Sequence, residues 1–107
     1  MAIAEITIIP IGTADTSLSQ YVADIHRILQ QSSSIRYELT PMSTIIEGEL
    51  DVLFSVIRQL HEVPFASGVK RVSTSIKIDD RRDKESTMQS KLQAVQEKIG
   101  NPPGGRA

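Results

Sequence analysis

The sequence predicts an α+β fold: a four-stranded antiparallel sheet with two helices on one face and a further helix at the carboxyl end. Three observations carry this. Four short runs alternate apolar and polar residues with a period of two, as half-buried strands do. Between them lie two stretches whose apolar residues recur at helical spacing. The order is strand, helix, strand, strand, helix, strand, and short connections with right-handed crossovers turn that order into the ferredoxin-like βαββαβ sandwich.

The first strand covers residues 2 to 9, with Ala2, Ala4, Ile6 and Ile8 on one side and Ile3, Glu5, Thr7 and Ile9 on the other. Pro10 and Gly12 are expected to end it. Thr16 or Ser17 can cap the first helix, whose stripe is Leu18, Tyr21, Val22, Ile25, Ile28 and Leu29. Residues 35 to 41 and 44 to 49 form a hairpin, bent at Pro41, Met42 and Ser43. A second helix starts near Asp51, its expected cap, turns Leu53, Phe54, Val56, Ile57 and Leu60 inward, and stops before Pro64 and Gly68. The fourth strand spans 69 to 78: Val72, Thr74, Ile76 and Ile78 face one way, Arg71, Ser73, Ser75 and Lys77 the other. The run DDRRDKE then leads to a third helix with a narrow stripe of Met88, Leu92, Val95 and Ile99. Residues 1–99 read as a single domain, and residues 100–107, GNPPGGRA, as a flexible tail with too few apolar groups to order itself.

At 107 residues the chain can bury a core without metal or disulfide staples. Twelve basic and thirteen acidic residues leave a net charge of −1, which supplies no broad basic surface for nucleic acid. No cysteine is present, which excludes thiol catalysis and disulfides and fits a reducing compartment. No apolar run approaches the roughly 20 residues of a spanning helix. The expectation is a soluble, cytoplasmic protein with no membrane partner.

The even-numbered residues of the first and fourth strands are the more apolar and should meet the helices. The other face then carries Ile3, Ile9 and Ile45 among hydroxyls and charges, with Arg36, Glu38 and Thr40 outward and Tyr37 and Leu39 inward. That mixture suits a partly wet interface with a second copy, so a homo-oligomer is expected. His26 and His61 lie at the borders of their helices' stripes and read as boundary residues. No P-loop, GxGxxG, HExxH or nucleophile elbow occurs. The alternating signs of DDRRDKE suit a solvated segment.

Glu47 stands apart as a carboxylate in an inner strand, with Thr7 and Thr40 expected beside it. Desolvating it is costly unless it is paired. Arg71 or Lys77 from either subunit would satisfy it, and so would a cationic or amine-bearing small molecule.

The stretch YELTPMSTIIEGELDVLFSVIRQLHE resembles the small thiamine-binding proteins, formerly uncharacterised, that share a ferredoxin-like fold. The matching pattern is aromatic-x-Leu-Thr-Pro-Met, then Thr44, Glu47 and Gly48, then a helix ending in LHE. PIGTADTSLSQYVADI and RVSTSIKIDDRRDK extend it over roughly residues 2 to 99. Members usually carry glycine where this chain has Ser43. The resemblance implies homo-dimers or homo-tetramers that bind thiamine, or its hydroxymethylpyrimidine part, as a ligand rather than a cofactor, and do not turn it over.

Such a ligand has an amine-bearing ring and a cationic thiazolium, and it calls for a carboxylate, orienting hydroxyls and a soft apolar wall. Glu47, Thr40, Thr44 and Met42 would supply these from one hairpin. Thr44 stands on the opposite pleat from Glu47, so both reach one pocket only if the strand begins with a bulge. Ser19, in the first turn of the first helix, could help hold a polar group; the simpler expectation is that it caps its own backbone. The reading is a non-catalytic binding protein, with thiamine or a related pyrimidine as its partner. The alternative is an assembly module with no small-molecule ligand.

Overall fold

A computed structural model of the chain describes residues 1–13, 19–83 and 88–100, leaving aside the side chains of Ser19 and Ser90. The elements are β1 (Ala2–Ile11), α1 (Ser19–Gln31), β2 (Arg36–Leu39), β3 (Thr44–Gly48), α2 (Leu50–Ala66), β4 (Arg71–Asp80) and α3 (Met88–Gly100). The four strands form one sheet in the order β2-β3-β1-β4, and every pairing is antiparallel. This is the expected α+β, ferredoxin-like arrangement with an added helix. Gly100, the first residue of the expected tail, ends α3; the rest of that tail, residues 101–107, and the cap at Thr16 or Ser17 lie outside the described residues.

The register fixes the two faces, because directly opposed residues point the same way. Ala4 opposes Ile46 and Ile78, and Ile46 opposes Tyr37. These residues face α1 and α2. The core on that side is Ala2, Ala4, Ile6, Ile46, Ile25, Leu29, Leu53, Val56, Ile57, Leu60 and Val63, all buried. Ile3, Glu5, Thr7, Ile9, Arg36, Glu38, Ile45 and Glu47 take the other face. The period-two reading of both faces holds.

Several element ends differ from expectation. Pro10 sits inside β1, opposite Val72, instead of ending it. The pairing of β1 with β3 stops at Ile6 opposite Thr44, so beyond Ile6 the strand has β4 alone as a partner. There it is an edge, where a residue without an N–H is tolerated. Helix α2 runs through Pro64 to Ala66, and its N-cap is Glu49 rather than Asp51, which falls in the first turn. Pro64 costs one hydrogen bond close to the helix end. Its carbonyl accepts the N–H groups of Ser67 and Val69 and closes the terminus.

Phe54 and Val22, expected inward, are each 50% exposed. The buried stripe of α2 is Leu53, Val56, Ile57, Leu60, Val63 and Pro64, and Phe54 lies one residue off it. Ile76 and Ile78 have the predicted orientation but stay exposed, since β4 is an edge strand only partly covered by α2. Gly48 is buried, and a Cβ on it would meet Ile35 Cγ2 at 3.1 Å, so β3 passes close under the α1–β2 connection.

Both histidines belong to the packing between helices and sheet. The Nδ1 of His61 lies 2.7 Å from Thr74 Oγ1, and its ring meets Phe65 edge-on at 5.4 Å. His26 stacks edge-to-face on Tyr37 at 5.7 Å. Among the described residues, no group of three or more His, Cys, Asp or Glu side chains could hold a metal ion. No described helix is long and apolar enough to cross a membrane.

A candidate ligand site at Glu47

Glu47 is 2% exposed and is the buried charged residue of the sheet. It is placed by β3, an inner strand, with Ile3 directly opposite on β1 and Arg36 directly opposite on β2. What removes it from water is α3. That helix begins over this end of the sheet, and the Met88 N–H donates to Glu47 Oε2 at 3.0 Å. A carboxylate at the amino end of a helix is favourably placed, because the first-turn amides lack intrahelical acceptors and carry partial positive charge. A second tie holds the helix here: Lys91 pairs with Asp79, the β4 residue opposite Ile3.

Beside the carboxylate is a cavity of about 510 Å³. Arg36, Tyr37 and Glu38 of β2 form one side, Met88 and Leu92 of α3 the other, and Glu47 reaches it from β3. This volume lies within the range of roughly 300–1,000 Å³ common for small-molecule sites. Its apolar walls come from Met88 and Leu92 of α3, with Ile35 and Tyr37 at its β2 edge. Among its described lining residues the charged groups are two carboxylates and one guanidinium, a balance that favours a cationic or amine-bearing guest.

The expected hydroxyl neighbours of Glu47 are not there. Leu39 opposes Thr44, so the hairpin pairs Arg36, not Thr40, with Glu47. Thr40 lies in the bend at the far end, where its Oγ1 accepts the amides of Ser43 at 2.9 Å and Met42 at 3.3 Å and donates to the Ser43 carbonyl at 3.0 Å. It is occupied in shaping its own turn. Met42, at the tip of the same bend, is 84% exposed.

Thr7 shares the face of Glu47 but opposes Ser75, four residues along β1 from Ile3, or roughly 13 Å. The β1–β3 ladder runs without a bulge from Ala2 opposite Gly48 to Ile6 opposite Thr44. Thr44 therefore faces the helices, and within one chain it is not brought together with Glu47. Ser19 is the first residue of α1, and its side chain is outside the described set. Among the described residues, Glu47 is the one expected site residue that lines this cavity.

Within one chain Arg71 and Lys77 do not reach Glu47: Arg71 opposes Ile11 and Lys77 opposes Glu5. Ser43, at the position where glycine was expected, donates its hydroxyl to Glu5 Oε2 at 3.2 Å and ties the bend to β1. The charge run after β4 forms local ion pairs, Arg81 with Asp83 and Arg82 with Asp80, on an exposed surface. The hydrogen bond from Arg82 holds the Asp80 carboxyl below its ordinary range.

Sequence reasoning missed Arg36, Glu38 and Leu92 as cavity residues. Arg36 and Glu38 were expected on the correct face, but only the pairing register shows that they flank Glu47. Leu92 was visible as an apolar position without a home.

The chain matches the family model described as "Thiamine-binding protein" over residues 4–96. It belongs to the thiamine-binding protein family. Curated relatives of this family include UPF0045 protein YqgV of Bacillus subtilis, 57% identical over 98 residues that cover 89% of this chain and 94% of the relative. A UPF0045 protein of Staphylococcus xylosus is 45% identical over 104 residues, covering 94% and 97%. Among solved structures, the hypothetical protein MJ1052 of Methanocaldococcus jannaschii superposes with a TM-score of 0.79 at 35% identity, covering 90% of this chain and 96% of that one. A Thermotoga maritima protein, described as a candidate thiamine biosynthesis/salvage protein, has a TM-score of 0.69 at 20% identity, covering 88% and 97%. That last likeness concerns the fold.

Proposed function

We propose that this member of the thiamine-binding protein family binds thiamine, or its hydroxymethylpyrimidine moiety, without converting it, and does so as a cytoplasmic homo-oligomer. The observation that carries the reading is the buried Glu47 carboxylate beside an open cavity of about 510 Å³. A carboxylate offers about four lone-pair directions and can accept from a ligand amine as well as from the Met88 amide. Leu92 and Met88 supply apolar and polarizable surface for a ring, and Glu38 adds negative charge for a cationic portion.

The oligomer is supported by the apolar groups left on the same side. Ile9 is 49% exposed on the open sheet face, and Leu92, Val95 and Ile99 of α3 are 55%, 53% and 72% exposed. A surface of this kind calls for a cover, and a second copy is the simplest one. The same observation favours a second reading, an assembly module whose sheet and third helix only build contacts between copies.

Calorimetric titration with thiamine separates the two. Saturable binding, lost on Glu47→Gln with oligomer mass unchanged, supports the ligand reading. Absence of heat and of any melting shift at millimolar thiamine, together with altered mass on Glu47→Gln, supports the assembly reading. Thiamine recovered intact after long incubation supports binding without turnover.

A further inference from the structure

The two edges of the sheet are unlike. At one edge β2 has four residues; at the other β4 has ten and pairs along its whole length with β1 alone. Short edges resist further pairing, whereas long ones are usually blunted by proline or a bulge. β4 contains no proline or glycine, and its ten opposed pairs with β1 run without interruption. Among the described residues, no backbone hydrogen bond outside that ladder engages it. The helix-facing side of this edge is also apolar. Ile76 and Ile78 are exposed there. On α2, His61 contacts Thr74 and so marks the side turned to β4. Phe54 lies two helical turns before His61 and Phe65 one turn after it, so both join the same stripe, and both are exposed.

The order of charges along β4 selects the occupant of this edge. The segment begins with Lys70 and Arg71 and ends with Asp79 and Asp80, so it is complementary to an antiparallel copy of itself. In the register centred on Ser75, Arg71 opposes Asp79 of the copy, Val72 opposes Ile78, Ser73 opposes Lys77 and Thr74 opposes Ile76. Just before the strand, Lys70 opposes Asp80. Sliding by two residues is the smallest step that keeps every side chain on its own face. It sets Arg71 against Lys77 in one direction and against Arg81 in the other. Both are like-charge pairs, which directly opposed strands disfavour. Lys91 takes Asp79 through Oδ2 and Arg82 takes Asp80 through Oδ2. Each carboxylate keeps acceptor capacity for a second cation.

We propose that β4 pairs with β4 of a second copy, antiparallel about Ser75, and joins two four-stranded sheets into one continuous sheet. A two-fold axis normal to the sheet keeps α1 and α2 of both copies on one side. It sets the two α2 stripes across the seam, where Phe54 and Phe65 cover Ile76 and Ile78. The open faces stay free, so this contact is separate from the cover proposed above for Ile9 and α3. It shares with that reading only the identity of the partner, a second copy, and is independent of the ligand proposed at Glu47.

The test is sedimentation of the whole chain over a concentration series, with hydrogen exchange of the β4 amides. An unpaired edge strand protects every second amide, and a strand paired on both sides protects consecutive ones. Consecutive protection along β4 is expected, appearing with the associated species. Arg71→Asp and Asp79→Arg each place like charges at both ends of the seam and should weaken association about tenfold or more. An equimolar mixture of the two variants should regain it, because each then meets its opposite charge at both ends. Ile9→Asp, on the open face, should leave β4 protection unchanged even where it lowers the total mass. Protection of alternate amides only in the associated protein would overturn the proposal. So would native-like association of the Arg71→Asp variant, or no gain on mixing. A monomer at millimolar concentration would overturn it together with the oligomer reading, whereas loss of thiamine binding with β4 still protected would remove the ligand alone.

Discussion

The Met88 amide donates to Glu47 Oε2 at 3.0 Å, and this one bond links the amino end of α3 to an inner strand of the sheet. It explains how a carboxylate can be 2% exposed in a strand whose face is otherwise open. The cost of desolvating the charge is offset by an amide that a helix start leaves without an intrahelical acceptor.

That geometry makes the Met88 N–H separable from the Met88 side chain. Proline fits the first helical position, where no intrahelical bond is lost. Met88→Pro should therefore delete the donor to Glu47 and destabilise the fold by about 1.5–3 kcal/mol, as expected for a hydrogen bond to a charged group. Met88→Ala keeps the donor and should cost less. Chemical denaturation of the two variants side by side measures the difference.

Leu60 is fully buried against the sheet. Truncation to alanine leaves a cavity that the surrounding core cannot close, and Leu60→Ala should lose about 2–5 kcal/mol. Thermal unfolding would show it as a large drop in melting temperature. Phe54→Ala, at 50% exposure in the same helix, should change stability far less.

Gly48→Ala places a methyl 3.1 Å from Ile35 Cγ2 and 3.4 Å from the Ser34 carbonyl oxygen. The Ser34 oxygen is at ordinary contact distance, so the fit turns on the Ile35 Cγ2 methyl, which must give by a few tenths of an ångström. A loss of about 1–3 kcal/mol is expected, as for other overpacked sites. The companion change Ile35→Ala removes that Cγ2 methyl and should recover part of it, and a double-mutant cycle measures the coupling.

Acid stability has a defined sign at Asp24. Hydrogen bonds from Arg27, at 2.7 Å, and from Gln20, at 3.2 Å, hold its carboxyl below the ordinary value. A group whose folded value is depressed stabilises the fold above its unfolded value, and that contribution fades as pH falls through the folded one. The native protein should thus lose this contribution below about pH 4. Asp24→Asn should lower stability at pH 7 slightly and flatten its decline between pH 4 and 2, measured by denaturation at each pH.

Much of this architecture is legible in the sequence, because period-two and helical spacing report which side of an element is buried. Ala4, Ile6 and Ile46 were placed correctly by alternation alone. The errors arise where tertiary context outweighs local signals. Pro10 reads as a strand end, yet β1 continues because it is an edge beyond Ile6. Pro64 reads as a helix stop, yet its carbonyl completes the helix end.

The site was harder to see. Glu47 was identifiable as an anomalous inner-strand acid, but its neighbours depend on the hairpin register. A bend from Thr40 to Ser43 sets Arg36, not Thr40, across from it. The role of α3 had no local sequence signal at all, since its contact with Glu47 is made by a backbone amide.

Calorimetric titration of thiamine into the native protein and into Glu47→Gln tests the central claim most directly. Glutamine keeps an oxygen for the Met88 amide but removes the negative charge, so folding should persist while affinity falls roughly ten- to a hundredfold. Equal thiamine affinity in the two proteins, or no binding by the native one, would contradict the account.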